Sequence, residues 1–152
     1  MKKIPLTKGK FALVDDEDYV NLTEISWQYA SGYAQSIQRK KGGKQYAIMM
    51  HRKIMNCPSG LVVDHINHDT LDNRKSNLRI CTRSENLGNR FGKKNGTSKY
   101  KGVTWHKASK KWSVAFNKKW IGAFSDEVEA ARVYDKCAIE HYGRFAKLNF
   151  PE

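Results

Sequence analysis

Between Asp64 and Asn86 the chain reads DHINHDTLDNRKSNLRICTRSEN, a short polar span that gathers carboxylates, two histidines and several asparagines. Hydrolysing a phosphodiester needs an activated water, charge stabilisation on the phosphoryl oxygens and help for the departing 3′-oxygen. A divalent cation held by a few oxygen ligands supplies the last two. A neutral histidine on the other side of the phosphorus takes the proton from water. Asp64 is a hard ligand of the kind Mg²⁺ accepts, since that ion keeps most of its own waters. His65 is the candidate base. Adjacent residues on a regular strand face opposite sides. The strand is therefore expected to end or bulge after Val63, so that both side chains face one phosphate.

The elements that would position this pair can be read around it. LVVDHI is apolar and β-branched, a strand leaving the core with Asp64 and His65 near its end. NHDTLDNRKSN is a polar loop, and LRICT a second strand. Thr82-x-x-Glu85 is a capping-box signature for a helix over ENLGNR. In the loop, Asp69, Asp72 and Asn73 are expected to make shaping hydrogen bonds, while Asn67 and His68 could approach substrate. Arg74 and Arg79 read either as phosphate clamps or as partners of local carboxylates. Upstream, AIMMHRKIM is a strand end or a helix turn. His51 within it either supports the site or is structural.

The span VDHINHDTLDNRKSNLRICTRSENLGN resembles the HNH endonuclease motif, in the form found in phage and intron-encoded homing endonucleases. The resemblance implies a ββα-metal module over residues 51–90. It makes Asp64 a metal ligand, His65 the general base, Asn77 the residue that orients the histidine, and Asn86 the second metal ligand. Many members carry histidine at that last position. Asparagine is a harder ligand, favouring one Mg²⁺ or Mn²⁺ per site over Zn²⁺.

The charge balance fits such a partner. The 28 basic and 15 acidic residues leave a net charge of +13, which favours a polyanion. The charge is uneven: residues 86–125 hold ten Lys and Arg and no Asp or Glu, a candidate footprint for phosphates. No apolar run is long enough to span a bilayer. The start, MKKIPLTKGK, lacks the apolar stretch of a signal peptide. Cys57, Cys81 and Cys137 form no CxxC, which suggests reduced thiols in a cytoplasm, that of the host cell if the gene is phage-borne.

Residues 1–50 read as a β-rich region and packing platform: KFALV, a turn at DDED, an extended YVNL, then WQYASGYAQSIQ and QYAIMMHR around the turn KKGGK. Residues 91–98, in a Gly-, Asn- and Lys-rich stretch, read as a linker. YKGVTW, KWSVAF and KWIGAF then form a three-stranded meander, and Ser125 caps a helix. Val128, Ala131, Ala138 and Tyr142, with Tyr134 or Asp135 between, lie on or beside its core-facing stripe, and Gly143 stops it.

Residues 99–152 resemble an AP2/ERF-type DNA-binding domain in YKGVTWHKASKKWSVAF, IGAFSDEVEAARVYDKCAIEHYG and FAKLNFP. That resemblance implies an antiparallel sheet laid in the major groove and backed by one helix. Lys101, Trp105, Lys107, Lys110, Trp112, Lys119 and Trp120 are the contact candidates, with the tryptophans also open to packing roles. Most of the family's arginine positions are lysine here. Lysine neutralises phosphate but lacks the fork that reads guanine.

The expected protein is thus an α+β, two-module, Mg²⁺- or Mn²⁺-dependent endonuclease of homing type. It would nick duplex DNA as a monomer or weak dimer, away from membranes. The rival is a DNA-binding regulator with an inert HNH module. An RNA-binding protein is a third reading, weakened by the lack of a recognisable base-stacking module.

Overall fold

The computed structural model describes residues 1–92 and 96–151; Lys93 and Lys94 of the basic span, with Asn95 and Glu152, lie outside the described residues. The chain divides into two compact units, Met1–Arg83 and Ser84–Glu152. Antiparallel sheets combined with separate helices make it an α+β protein, as expected.

In the first unit, β1 (Lys2–Pro5) and β2 (Phe11–Val14) form a hairpin that buries Ile4, Ala12 and Val14. The expectation for DDED and YVNL was wrong: helix α1 (Asp16–Thr23) runs through both. Asp16, Glu17 and Asp18 fill its first turn, where carboxylates meet the positive end of the helix. Only Leu22 of the stretch is buried and Val20 is exposed, so there was no strand face to hide.

Strands β3 (Gln28–Ala30), β4 (Tyr33–Arg39) and β5 (Gln45–Met49) make one antiparallel sheet in that order. Ser31 and Gly32 join the first two with φ of 50° and 87°, the doubly left-handed turn that matches strand twist. AIMMHRKIM becomes the end of β5 and a short helix, α2 (Met50–Ile54). The core collects Ile4, Leu6, Ala12, Val14, Leu22, Trp27, Ala34 and Met50. The buried indole of Trp27 donates to the Leu22 carbonyl at 2.8 Å, which offsets its desolvation.

Strands β6 (Val62–His65) and β7 (Leu78–Cys81) pair antiparallel, and helix α3 (Arg83–Gly88) follows. The loop between them is bonded to β2: Leu13 N–H donates to Leu71 and Asn73 N–H to the Leu13 carbonyl, each at 2.8 Å. Lys75 N–H donates to the Asp15 carboxylate, and the Thr70 hydroxyl to the Gly32 carbonyl. Residues 1–50 therefore share one unit with this hairpin.

In the second unit, β8 (Val103–His106), β9 (Lys111–Phe116) and β10 (Lys119–Phe124) form the expected meander in the order β10-β9-β8. Helix α4 (Glu127–Tyr142) packs on it through Ala130, Ala131, Tyr134 and Ala138 against Val103 and Val114. Asp126, not Ser125, caps this helix, accepting from Glu129 N–H at 2.7 Å. Val128 of the expected stripe is exposed, while Gly143 does close the helix. The Asp135 carboxylate accepts from the N–H groups of Asn149 and Phe150, tying the closing segment to α4. Within the stretch expected to be a linker, Ser98 is buried and donates to Glu127, and Thr97 accepts from Trp105 N–H.

Candidate active site

The strand does not break after Val63. Pairing continues through Asp64 opposite Arg79 and His65 opposite Leu78, and β6 ends only after His65. The two side chains accordingly meet different surroundings, as strand alternation requires.

Asp64 is buried and faces its cross-strand neighbour: Arg79 Nε and Nη2 donate to Asp64 Oδ2 at 2.9 and 2.7 Å. A directly opposed acid–base pair stabilises an antiparallel ladder. Removing one partner of such a buried pair strands the other charge. Of the two roles open to Arg79, the structure supplies the carboxylate partner. Arg74 does the same with Asp72, through Nε at 2.7 Å and Nη2 at 2.6 Å. That guanidinium holds the almost fully buried Asp72 carboxyl below its ordinary range.

His65 is buried among aromatic rings. His51 meets it edge-on with centroids 5.1 Å apart, and Tyr33 lies 6.1 Å away. Burial lowers the His65 pKa, opposed by Asn73 and by the charges of Asp64, Asp69 and Asp72. The imidazole is thus neutral near pH 7, the form a base requires. Asn73 donates through Nδ2 to the Leu71 carbonyl. Its buried Oδ1 meets no partner in ordinary hydrogen-bond geometry among the described residues, yet lies close enough to favour the protonated ring.

Asn77 is buried at the loop's end. Its Oδ1 accepts from Asn67 N–H at 2.9 Å and its Nδ2 donates to the Asp72 carbonyl at 2.8 Å. Those bonds fix the loop shape, and Asn73 is the asparagine whose influence on His65 is resolved. Asp69 and Asp72 make the expected loop-shaping bonds, accepting from Leu71 N–H and Arg74 N–H, and Asn73 makes its own to the Leu71 carbonyl. Asn67, which was open toward substrate, also accepts from Asp69 N–H, and His68 sits at φ 67° in the turn after His65. Asn86 is half-buried on α3, in the second unit.

His51 is the residue that sequence left undecided. It sits between Tyr33 and His65, and its Nδ1 is buried with no hydrogen-bond partner among the described residues. Burial first, then His65 and Arg52, push its pKa down to about 4. A lowered histidine pKa means that protons favour the unfolded chain. Stability is therefore complete above about pH 6.5 and falls toward pH 4, by at most about 3 kcal/mol from this ring. His65 adds in the same direction. Urea unfolding at pH 7 and pH 4.5 should show that loss, and His51→Phe should reduce it. An unchanged slope in the variant would contradict the assignment.

Of the residues expected to touch nucleic acid, Lys107, Lys110, Lys119 and Trp120 are exposed, Trp120 at 69%. Trp112 alternates with Lys111 and Ser113 and packs on the core beside Val114 and Phe116. Trp105 lies opposite it with ring centroids 4.9 Å apart. The two rings thus pack on one another, Trp112 also against the core. Lys101 is turned inward, its Nζ donating to the Gly88 carbonyl at 2.8 Å and lying over the Tyr134 ring.

Comparison with known proteins bears on this arrangement. Residues 56–87 match a family model described as HNH endonuclease. The chain is 34% identical over 151 residues to an uncharacterised HNH endonuclease of Acanthamoeba polyphaga mimivirus, covering 93% of this chain and 76% of that protein. The chain therefore belongs to the HNH endonucleases. A further segment is 48% identical over 61 residues to APETALA2-like protein 2 of Oryza sativa subsp. indica, covering 36% of this chain and 14% of that one. A match of 33 residues is 52% identical to dehydration-responsive element-binding protein 2E of Arabidopsis thaliana, covering 22% of this chain and 14% of that one. The chain spans only a small part of these plant relatives, and the likeness to them is of AP2/ERF type. No solved structure matches the chain.

Proposed function

We propose that this HNH endonuclease is of homing type, needs a divalent metal, and hydrolyses one strand of duplex DNA at a time. The observation that carries the reading is the buried pair Asp64–His65 at the end of β6, one side chain held by a guanidinium and the other kept neutral by burial. On this reading β6, β7 and α3 are a ββα-metal module, and β8–β10 with α4 an AP2-type DNA-binding module.

The donor set suits Mg²⁺ or Mn²⁺. Among the described residues no group of three or more His, Cys, Asp or Glu is arranged to hold a metal, and Mg²⁺ does not require one. Asp64 would be one ligand, oriented through Arg79, and the Asn86 amide oxygen the other. When bound, the ion would stabilise charge on the phosphate and on the departing 3′-oxygen. The chain's own part is to seat the phosphodiester across the end of β6, where His65 takes the proton from water. His51 and Asn73 hold that ring, and Asn77 shapes the loop beside it. Lys107, Lys110, Lys119 and Trp120 would meet the DNA, neutralising phosphates without specifying bases.

The rival reading, a regulator with an inert centre, draws on Arg79 occupying an Asp64 oxygen. It predicts binding without cutting. With one site per chain, supercoiled plasmid given Mg²⁺ should become open circle well before linear DNA appears. Linear product from the first time point would overturn the single-strand reading, and unaltered plasmid would favour the regulator.

A further inference from the structure

Helix α3 has six residues, far too few to hold helical form in water by itself. Its position is therefore imposed by what packs on it. Within the second unit, its last residue, Gly88, is gripped from several sides. The Gly88 carbonyl, one of the acceptors that a helix end leaves unmet, takes the Lys101 ammonium at 2.8 Å and Lys147 N–H at 3.0 Å. The Tyr142 ring lies flat over its Cα: a Cβ built there would stand 2.7 Å from Tyr142 Cγ and 3.0 Å from both Cδ atoms. Tyr142 is itself fixed, its hydroxyl donating to Asn117 Oδ1 at 2.8 Å in the β9–β10 turn and its ring flanked by Phe116.

The chain beyond α3 is held in the same way. The Lys147 ammonium lies over the Phe91 ring, and Gly92 approaches the Lys101 backbone so closely that a Cβ would stand 3.1 Å from its Cα. Asn89 is buried. The stretch that composition marks as a tether is thus, up to Gly92, packed on the β8–β10/α4 module.

We propose that Tyr142 and Lys101 are positioning residues that hold the end of α3 and thereby fix Asn86, two residues before Gly88, as a metal ligand. The proposal rests on the reading of Asn86 as that ligand. DNA anchoring and the placing of a metal-binding side chain are then done by one packed body. This also accounts for an inward lysine at position 101, while Lys99, Lys107 and Lys110 around it face solvent.

The test uses the full chain, with Mn²⁺ binding read from the free-ion paramagnetic resonance signal, alongside plasmid nicking and a gel shift. Asn86→Ala checks the underlying reading. If it leaves Mn²⁺ affinity unchanged, Asn86 is no ligand and the proposal falls with that reading. If it weakens binding, Gly88→Ala should also weaken it, by about tenfold. That variant should lower the nicking rate but not the DNA affinity, and adding Tyr142→Ala should restore part of the loss by removing the clash. Unchanged Mn²⁺ affinity and turnover in Gly88→Ala, beside a weakened Asn86→Ala, would overturn the proposal alone. Should Gly88→Ala fail to fold, Lys101→Met decides: several-fold weaker Mn²⁺ binding supports the proposal, and unchanged binding overturns it.

Discussion

Replacing His65 by alanine should lower the nicking rate by about 10²- to 10⁴-fold, the usual contribution of a positioned general base, while duplex DNA binding persists. The imidazole is buried beside His51 and Tyr33 and kept neutral by its surroundings. The truncation removes the proposed proton acceptor and leaves a cavity among aromatic rings. That cavity costs stability as well, so the comparison belongs at a temperature where both proteins are folded by circular dichroism. His65→Gln, which fills more of the space but is not a base, should be as inactive as the alanine variant. Nicking at the native rate by either would remove His65 from the chemistry.

The second large effect lies in the other unit and acts through folding. Gly102 sits at φ +79°, and a Cβ there would stand 1.8 Å from Tyr134 Cδ2 and 2.2 Å from Cε2. Tyr134 is a core residue of α4 packed against Phe116. It cannot step aside without opening the α4–sheet interface. Gly102→Ala therefore combines a left-handed backbone strain with an overlap that the core cannot absorb. We expect a loss above about 4 kcal/mol and a second unit that no longer folds or shifts DNA in a gel. Gly9→Ala is the control. Its φ is +62° with nothing within 4 Å, so only the backbone strain of about 1 kcal/mol applies. Equal effects of the two would mean that the close approach to Tyr134 is not the cause.

Sequence and structure agree where information is local. The two strands around the polar loop, the helix after Thr82 and the aromatic meander each follow from short-range pattern, and all are present. Long-range pairings were out of reach. Arg79 could have been a phosphate clamp until the hairpin register set it opposite Asp64. His51 and His65 are 14 positions apart, and nothing in their spacing announces that the rings touch. YVNL misled because a short apolar alternation suits a strand or one turn of helix equally. Here the acidic run before it starts a helix. The Gly- and Lys-rich segment after α3 misled in another way. Composition marked it as a tether, but Gly88 and Gly92 are glycines because a ring and a backbone pass close to them.

The pair Asp64–His65 also carries a physical lesson. A broken strand was expected because both side chains had to serve one phosphate. The strand instead stays regular through His65, giving each residue a different environment: a cationic partner for the carboxylate, and burial among rings for the imidazole. With alternation intact, the two side chains would have to converge on one phosphate from opposite faces, beyond the end of β6, for both proposed roles to hold.

The most direct test of a metal-dependent centre at this pair is conversion of supercoiled plasmid by the purified full chain, with Mg²⁺ and with chelator, beside Asp64→Ala. Open-circular product should appear with Mg²⁺ alone, and disappear both with chelator and in the variant while gel-shift binding remains. Cutting that survives chelation or the loss of Asp64, or no cutting by a folded, DNA-binding wild-type chain, would contradict it.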